Sequence, residues 1–224
     1  MEANPPVPQP TSRRQKVYRA RWAIWGAALG IGVAIGAMVA LSHKHSSTSA
    51  DDSAVSTWPA GARPAPAFTL TDEHGKSFTL ASLHGRSAIV TFIDPLCRDF
   101  CPTEAQHLNT VVRSFPASSK PAVVAVSVNT AGNTRPILRE DGKKWGLVPQ
   151  WRWGVGTPTA LARIWHAYGI AVLVSTQKIA GVKVRKVAHT EASYVIDPNG
   201  FVRALFVWPY SAKGVVSTLR SLPS

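Results

Sequence analysis

An α/β fold is what the sequence predicts, on three observations. Two continuous apolar, β-branched runs, 87–93 and 122–128, read as strands buried on both faces. Between them lies an amphipathic stretch, 103–115, with Ala105, Leu108, Val111 and Val112 at helical spacing. Strand, helix and strand in that order imply a parallel pair joined by a right-handed crossover.

The other elements follow along the chain. Residues 67–70 and 77–80 flank Asp72-Glu73-His74-Gly75, a hairpin closed by a polar, Gly-containing turn. Asp94-Pro95-Leu96-Cys97 is a loop after the first buried strand. Thr134–Trp145 and Thr157–Tyr168 read as helices, with Trp151-Arg152-Trp153 between them as a short exposed or edge segment. Val172–Val187 contains a basic hairpin. Ser193–Asp197 is a strand, Asp197-Pro198-Asn199-Gly200 turns it into Phe201–Val207, and Ser211–Leu222 closes the chain as a helix. The layout is thioredoxin-like, with an N-terminal β-hairpin extension and an insertion before the closing hairpin.

With 45% hydrophobic and 17% charged residues, the 224-residue chain is not of a disordered type. Trp22–Leu41 is an uncharged run of twenty residues, long enough as a helix to span roughly 30 Å of bilayer core. Before it stand Arg13, Arg14, Lys16, Arg19 and Arg21. The positive-inside rule then predicts a cytoplasmic tail over 1–21, a transmembrane anchor over 22–41 and everything later outside the cytoplasm, most simply in a bacterial cell envelope. The run exceeds the apolar region of a cleaved signal. Residues 42–61, rich in Ser, Thr, Ala and Pro, are expected to be a flexible linker, and 62–224 the thioredoxin-like domain.

The net charge is +13, of which +10 lies from Pro59 onward. Such a chain prefers anionic partners. No zinc-finger spacing, helix-turn-helix pattern or RNA-binding aromatic motif is present, so an acidic protein face or an anionic membrane is expected rather than nucleic acid.

Only two cysteines occur, Cys97 and Cys101. Their spacing is too short to staple a core and reads as redox or metal chemistry. Pro102 fits only the first turn of a helix, so both sulfurs fall near the helix N-terminus, where N–H groups and the dipole favour thiolate. The pair can close a disulfide or hold one soft metal ion. Thiolates favour Cu(I) and imidazole suits copper, so a histidine is wanted as third ligand. His189, placed in the loop leading into the Ser193 strand, is the candidate; His74, His84, His107 and His166 read as surface or satisfied helix positions. Asp94 and Asp99 are expected to serve turns or caps. Lys178, Lys183, Arg185 and Lys186 form a basic loop near His189 and are a candidate docking element.

The string Cys97-Arg98-Asp99-Phe100-Cys101-Pro102 resembles the C-x-x-x-C-P motif of the Sco/SenC family of copper chaperones. Val187-Ala188-His189-Thr190 ahead of Tyr194-Val195-Ile196-Asp197 is similar to that family's lone downstream histidine. Phe68-Thr69-Leu70, the segment 151–156 and Trp165–Gly169 add to the likeness, over roughly residues 65–210. The resemblance implies Cys97, Cys101 and His189 as copper ligands. It also implies a tethered protein that delivers copper to the dinuclear copper centre of cytochrome c oxidase, or keeps that centre's cysteines reduced, with a thiol reductant as a further partner. Two positions depart from the family pattern: Arg98 stands where Pro is common, and Ala188 where an acidic residue is common. The competing expectation is an extracytoplasmic thiol–disulfide oxidoreductase. That class uses C-x-x-C and a cis-proline, whose place here is taken by Glu191.

Overall fold

The computed structural model describes residues 52–223. The tail, the predicted transmembrane segment and the first part of the linker lie outside the described residues. Among the described residues, no helix is long and apolar enough to cross a membrane.

One six-stranded sheet organises the domain. Its strands are β1 (Ser56–Thr57), β4 (Ala88–Ile93), β5 (Ala122–Ser127), β6 (Trp151–Gly154), β9 (Ala192–Ile196) and β10 (Val202–Val207), in the order β1-β10-β9-β4-β5-β6. β4, β5 and β6 are parallel, while β9 runs antiparallel to β4, and β10 to β9. Two separate ribbons complete the strands: β2 (Thr69–Thr71) with β3 (Ser77–Thr79), and β7 (Val172–Ile179) with β8 (Val182–His189). The helices are α1 (Phe100–Arg113), α2 (Arg135–Lys144), α3 (Pro158–Tyr168) and α4 (Ala212–Arg220).

The pleat sorts the core into two layers. Ile89 and Ile93 of β4 point to one side, where they meet Ala105, Leu108 and Val112 of α1, Leu138 of α2 and Val215 of α4. Val90 and Phe92 point to the other, against the β2–β3 hairpin and Leu161, Ile164 and Tyr168 of α3. A strand covered on both faces needs an apolar run rather than an alternation, which is why β4 and β5 are AIVTFI and AVVAVS.

Three expectations change. Trp151-Arg152-Trp153 is an edge strand but not exposed: Trp151 and Trp153 retain only 6% and 2% of their accessibility, because parallel pairing with β5 turns both indoles inward beneath α2. Part of the stretch read as linker joins the sheet, since β1 pairs with β10 and Trp58 packs on the core. The basic hairpin is longer than its sequence suggested, so His189 is the last residue of β8 rather than a loop residue. The ladder persists to that point because Val172 and Val187, next to its base, pack on the core.

Candidate metal and thiol site

The site forms where the parallel strands β4 and β5 end, the usual place for chemistry in such sheets. Beyond Ile93, Asp94 starts a turn: its Oδ1 accepts the Leu96 N–H at 2.7 Å and its carbonyl accepts the Cys97 N–H at 3.0 Å. After β5, a short 3-10 turn at 130–132 packs beneath this loop. Gly132 permits the approach, for a Cβ there would lie 2.8 Å from Pro95 Cβ. Pro102 occupies the first turn of α1 as predicted. Asp99 stands at the N-cap without a side-chain cap bond, while Asp94 performs the expected turn role.

Cys97 is half-buried and Cys101 is buried; both are free thiols. The Cys101 N–H donates to Cys97 Sγ at 3.4 Å. The Cys101 thiol, helped by the N–H groups of residues 101, 99 and 100, draws the Cys97 thiol down to about 6, against the opposing effect of burial. Cys101 moves strongly the other way: its S–H donates a hydrogen bond to Cys97, it is buried, and both Cys97 and Glu104 add negative charge nearby. The pair is thus split into a ready thiolate and a held thiol.

Arg98 supports this loop. Its Nη1 donates to the carbonyls of Pro95 and Cys97 at 3.1 and 2.9 Å, and stands 3.4 Å from Oδ1 of the buried Asp141 on α2. The guanidinium therefore fastens in place a loop that the family pattern stiffens with proline.

His189 shares a cleft of about 560 Å³ with Cys97, Arg98, Asn129 and Glu191. Its Nδ1 lies 3.2 Å from the Thr190 carbonyl. With the proton on Nδ1, that carbonyl fixes the ring and leaves Nε2 as the lone-pair donor. A backbone oxygen thereby does the orienting that Ala188, lacking a carboxylate, cannot. Across the same cleft, Arg185 Nη1 donates to Asn129 Oδ1 at 2.6 Å and ties β8 to the end of β5.

The structure brings Cys97 and His189 to one cleft and sets Cys101 behind Cys97. It does not close them around a point: among the described residues, no three His, Cys, Asp or Glu side chains stand at metal-holding distance. The other histidines lie elsewhere. His74 pairs with Glu73 at 3.5 Å and His107 packs edge-on to Trp208.

Sequence reasoning missed Glu104. It is 1% exposed, and its Oε1 accepts from Thr91 Oγ1 at 2.7 Å and from Ser193 Oγ and Tyr210 OH at 3.1 Å each. Burial raises its carboxyl to about 7, against these hydroxyls. The available signal was a charge on the inward helix face shared by Cys101, Ala105 and Leu108.

A thioredoxin-like sheet carrying an activated cysteine and a buried partner at a helix N-terminus defines a dithiol protein of the thioredoxin-like class. Residues 59–223 match the SCO1/SenC family model, and the chain belongs to that family. It is 22% identical over 164 residues to a SCO2-like protein of Rickettsia typhi, covering 69% of this chain and 75% of that protein. Its fold is similar to Bradyrhizobium japonicum ScoI with copper bound (TM-score 0.62, 22% identity, 71% of this chain and 99% of that one). It is also similar to yeast Sco1 with copper bound (0.61, 20%, 70% and 87%). A third likeness is to BsSco, described with a disulfide switch and as a member of the Sco family of cytochrome c oxidase assembly proteins (0.57, 19%, 75% and 96%).

Proposed function

We propose that this protein is a membrane-anchored copper metallochaperone. It carries copper as cargo on Cys97, Cys101 and His189, and serves the dinuclear copper site of cytochrome c oxidase by delivering copper or keeping that site's cysteines reduced. The observation that carries the reading is the convergence of the Cys97 thiolate and the His189 imidazole on one cleft, with Cys101 adjoining Cys97. Two sulfurs and one nitrogen are a soft donor set that suits Cu(I) and excludes hard cations. Family membership and the copper-bound relatives support it. The uncharged run 22–41 supports an anchor with the domain on the extracytoplasmic side.

The chain's own contribution has three parts. The helix terminus and the Cys101 thiol hold Cys97 ready as thiolate. The Thr190 carbonyl orients His189. Three-ligand binding would require the ribbon base and the cysteine loop to approach, since among the described residues no three His, Cys, Asp or Glu side chains stand at metal-holding distance.

A second reading, thiol–disulfide exchange, is favoured by the division of the pair into an accessible nucleophile and a buried resolving thiol. Copper titration of the reduced protein beside a dithiol reductase assay separates the two. X-ray absorption on the loaded protein is expected to report two sulfurs and one nitrogen. Unchanged affinity and spectra in His189→Ala would remove His189 from the ligand set.

A further inference from the structure

The β7–β8 ribbon hydrogen-bonds to no third strand among the described residues, a form that is marginal by itself. Its register sets Val172 opposite His189, Val174 opposite Val187, Thr176 opposite Arg185 and Lys178 opposite Lys183. Side chains alternate along each strand, so these four pairs share one face. That face carries His189 at its base and three cations farther out. No Asp or Glu occurs between Val172 and His189. Lys178 and Lys183 oppose one another directly, an arrangement that costs stability. Among the described residues, no carboxylate pairs with either.

The cleft itself is balanced, with Asp94, Asp99 and Glu191 against Arg98, Arg185 and Lys186. The excess charge lies farther out on the ribbon, at Lys178 and Lys183. Apolar groups accompany it: Val174, on the same face, is 53% exposed, and Phe100, next to the cysteine loop, is 60% exposed.

We propose that the His189-bearing face of the ribbon docks an acidic protein domain, whose carboxylates meet Lys178 and Lys183 while its receiving residue enters the Cys97–His189 cleft. The partner's identity rests on the metallochaperone reading. An anionic lipid surface offers the same charge but cannot enter a concave cleft, whereas a protein loop can. Charge complementarity of this kind steers encounter and fixes register.

The probe is the soluble copper-site domain of the oxidase subunit from the same organism, titrated against the reduced full-length chain in detergent at low and high salt. Binding is expected to weaken with salt. Lys178→Glu/Lys183→Glu is expected to weaken it about tenfold or more and to flatten the salt dependence. Arg86→Glu/Lys120→Glu, at the opposite ends of β4 and β5, is expected to leave it unchanged. Copper titration of each protein alone reads the metal site separately. Equal affinity of the ribbon variant and the parent, or no binding by the parent, overturns the docking proposal while normal copper uptake leaves the metal reading standing. Loss of binding to phosphatidylglycerol vesicles in the ribbon variant, with domain binding intact, assigns the surface to lipid and also overturns it.

Discussion

Cys97 and Cys101 are chemically unequal because one thiol solvates the other. Alkylation of Cys97 by iodoacetamide is therefore expected to titrate near pH 6, with Cys101 silent in the native protein. Cys101→Ala removes the first of the causes that lower Cys97, so the midpoint of the pH–rate profile is expected to move upward. Glu104 gives a second test. Its folded carboxyl is raised to about 7 from 4.5, so the native state holds a proton that the unfolded chain has already lost between those values. Stability from this group falls as pH rises from about 4.5 and levels off above 7. Glu104→Gln keeps an acceptor for Thr91, Ser193 and Tyr210. It is expected to gain on the parent with increasing pH, by about 3 kcal/mol at most at pH 8, as read by urea melts at pH 5 and 8. The cysteine spacing and His189 were legible as a site because motif and position lie in the string itself. Arg185 with Asn129, and Glu104 with Tyr210, were not: their partners lie 56 and 106 positions apart, and only the fold joins them.

At the scale of elements, much was legible where burial imposes a pattern. The doubly covered strands β4 and β5 are almost wholly apolar runs, and Asp72 and Asp197 mark the β2–β3 and β9–β10 turns by accepting N–H groups two and four residues on. β1 was not legible, because two residues in a Ser- and Ala-rich stretch show no period and their partner strand is 145 or more positions away. The inward turn of Trp151 and Trp153 was hidden for a related reason: four residues with an arginine among them do not announce which face is covered. Asn109 of α1 secures that edge. Its amide donates to the Gly146 carbonyl at 3.1 Å, and its Oδ1 accepts from Val148 N at 3.2 Å and Trp151 Nε1 at 2.9 Å. Asn109→Ala strands several buried groups at once and is expected to cost about 2–4 kcal/mol, measured by chemical denaturation. The 145–151 segment should lose hydrogen-exchange protection before the central strands do.

For the whole molecule, ligand binding and folding are linked through the thiols. Metal requires thiolates, so Cu(I) is expected to raise the Tm of the reduced protein and to leave that of the disulfide form unchanged. Differential scanning calorimetry under both redox conditions checks this, and an equal rise in the oxidised protein would contradict cysteine ligation. The uneven spread of charge belongs to the same scale. With a net +10 from Pro59 onward, the domain is drawn to anionic surfaces in general, and the ribbon concentrates that attraction beside the cleft.

The base of the ribbon is closed by two bonds, Thr190 N–H to the Ala171 carbonyl at 3.0 Å and Ala171 N–H to Thr190 Oγ1 at 3.2 Å. Its far turn, at Ala180 and Gly181, is some eight residues, or about 27 Å, away. Clamped at one end, the ribbon is a lever whose fulcrum adjoins His189. A sideways excursion of several ångströms at the tip displaces the imidazole by only a small fraction of that distance. The outer strands can therefore comply with the shape of whatever they grip while the donor nitrogen keeps its station.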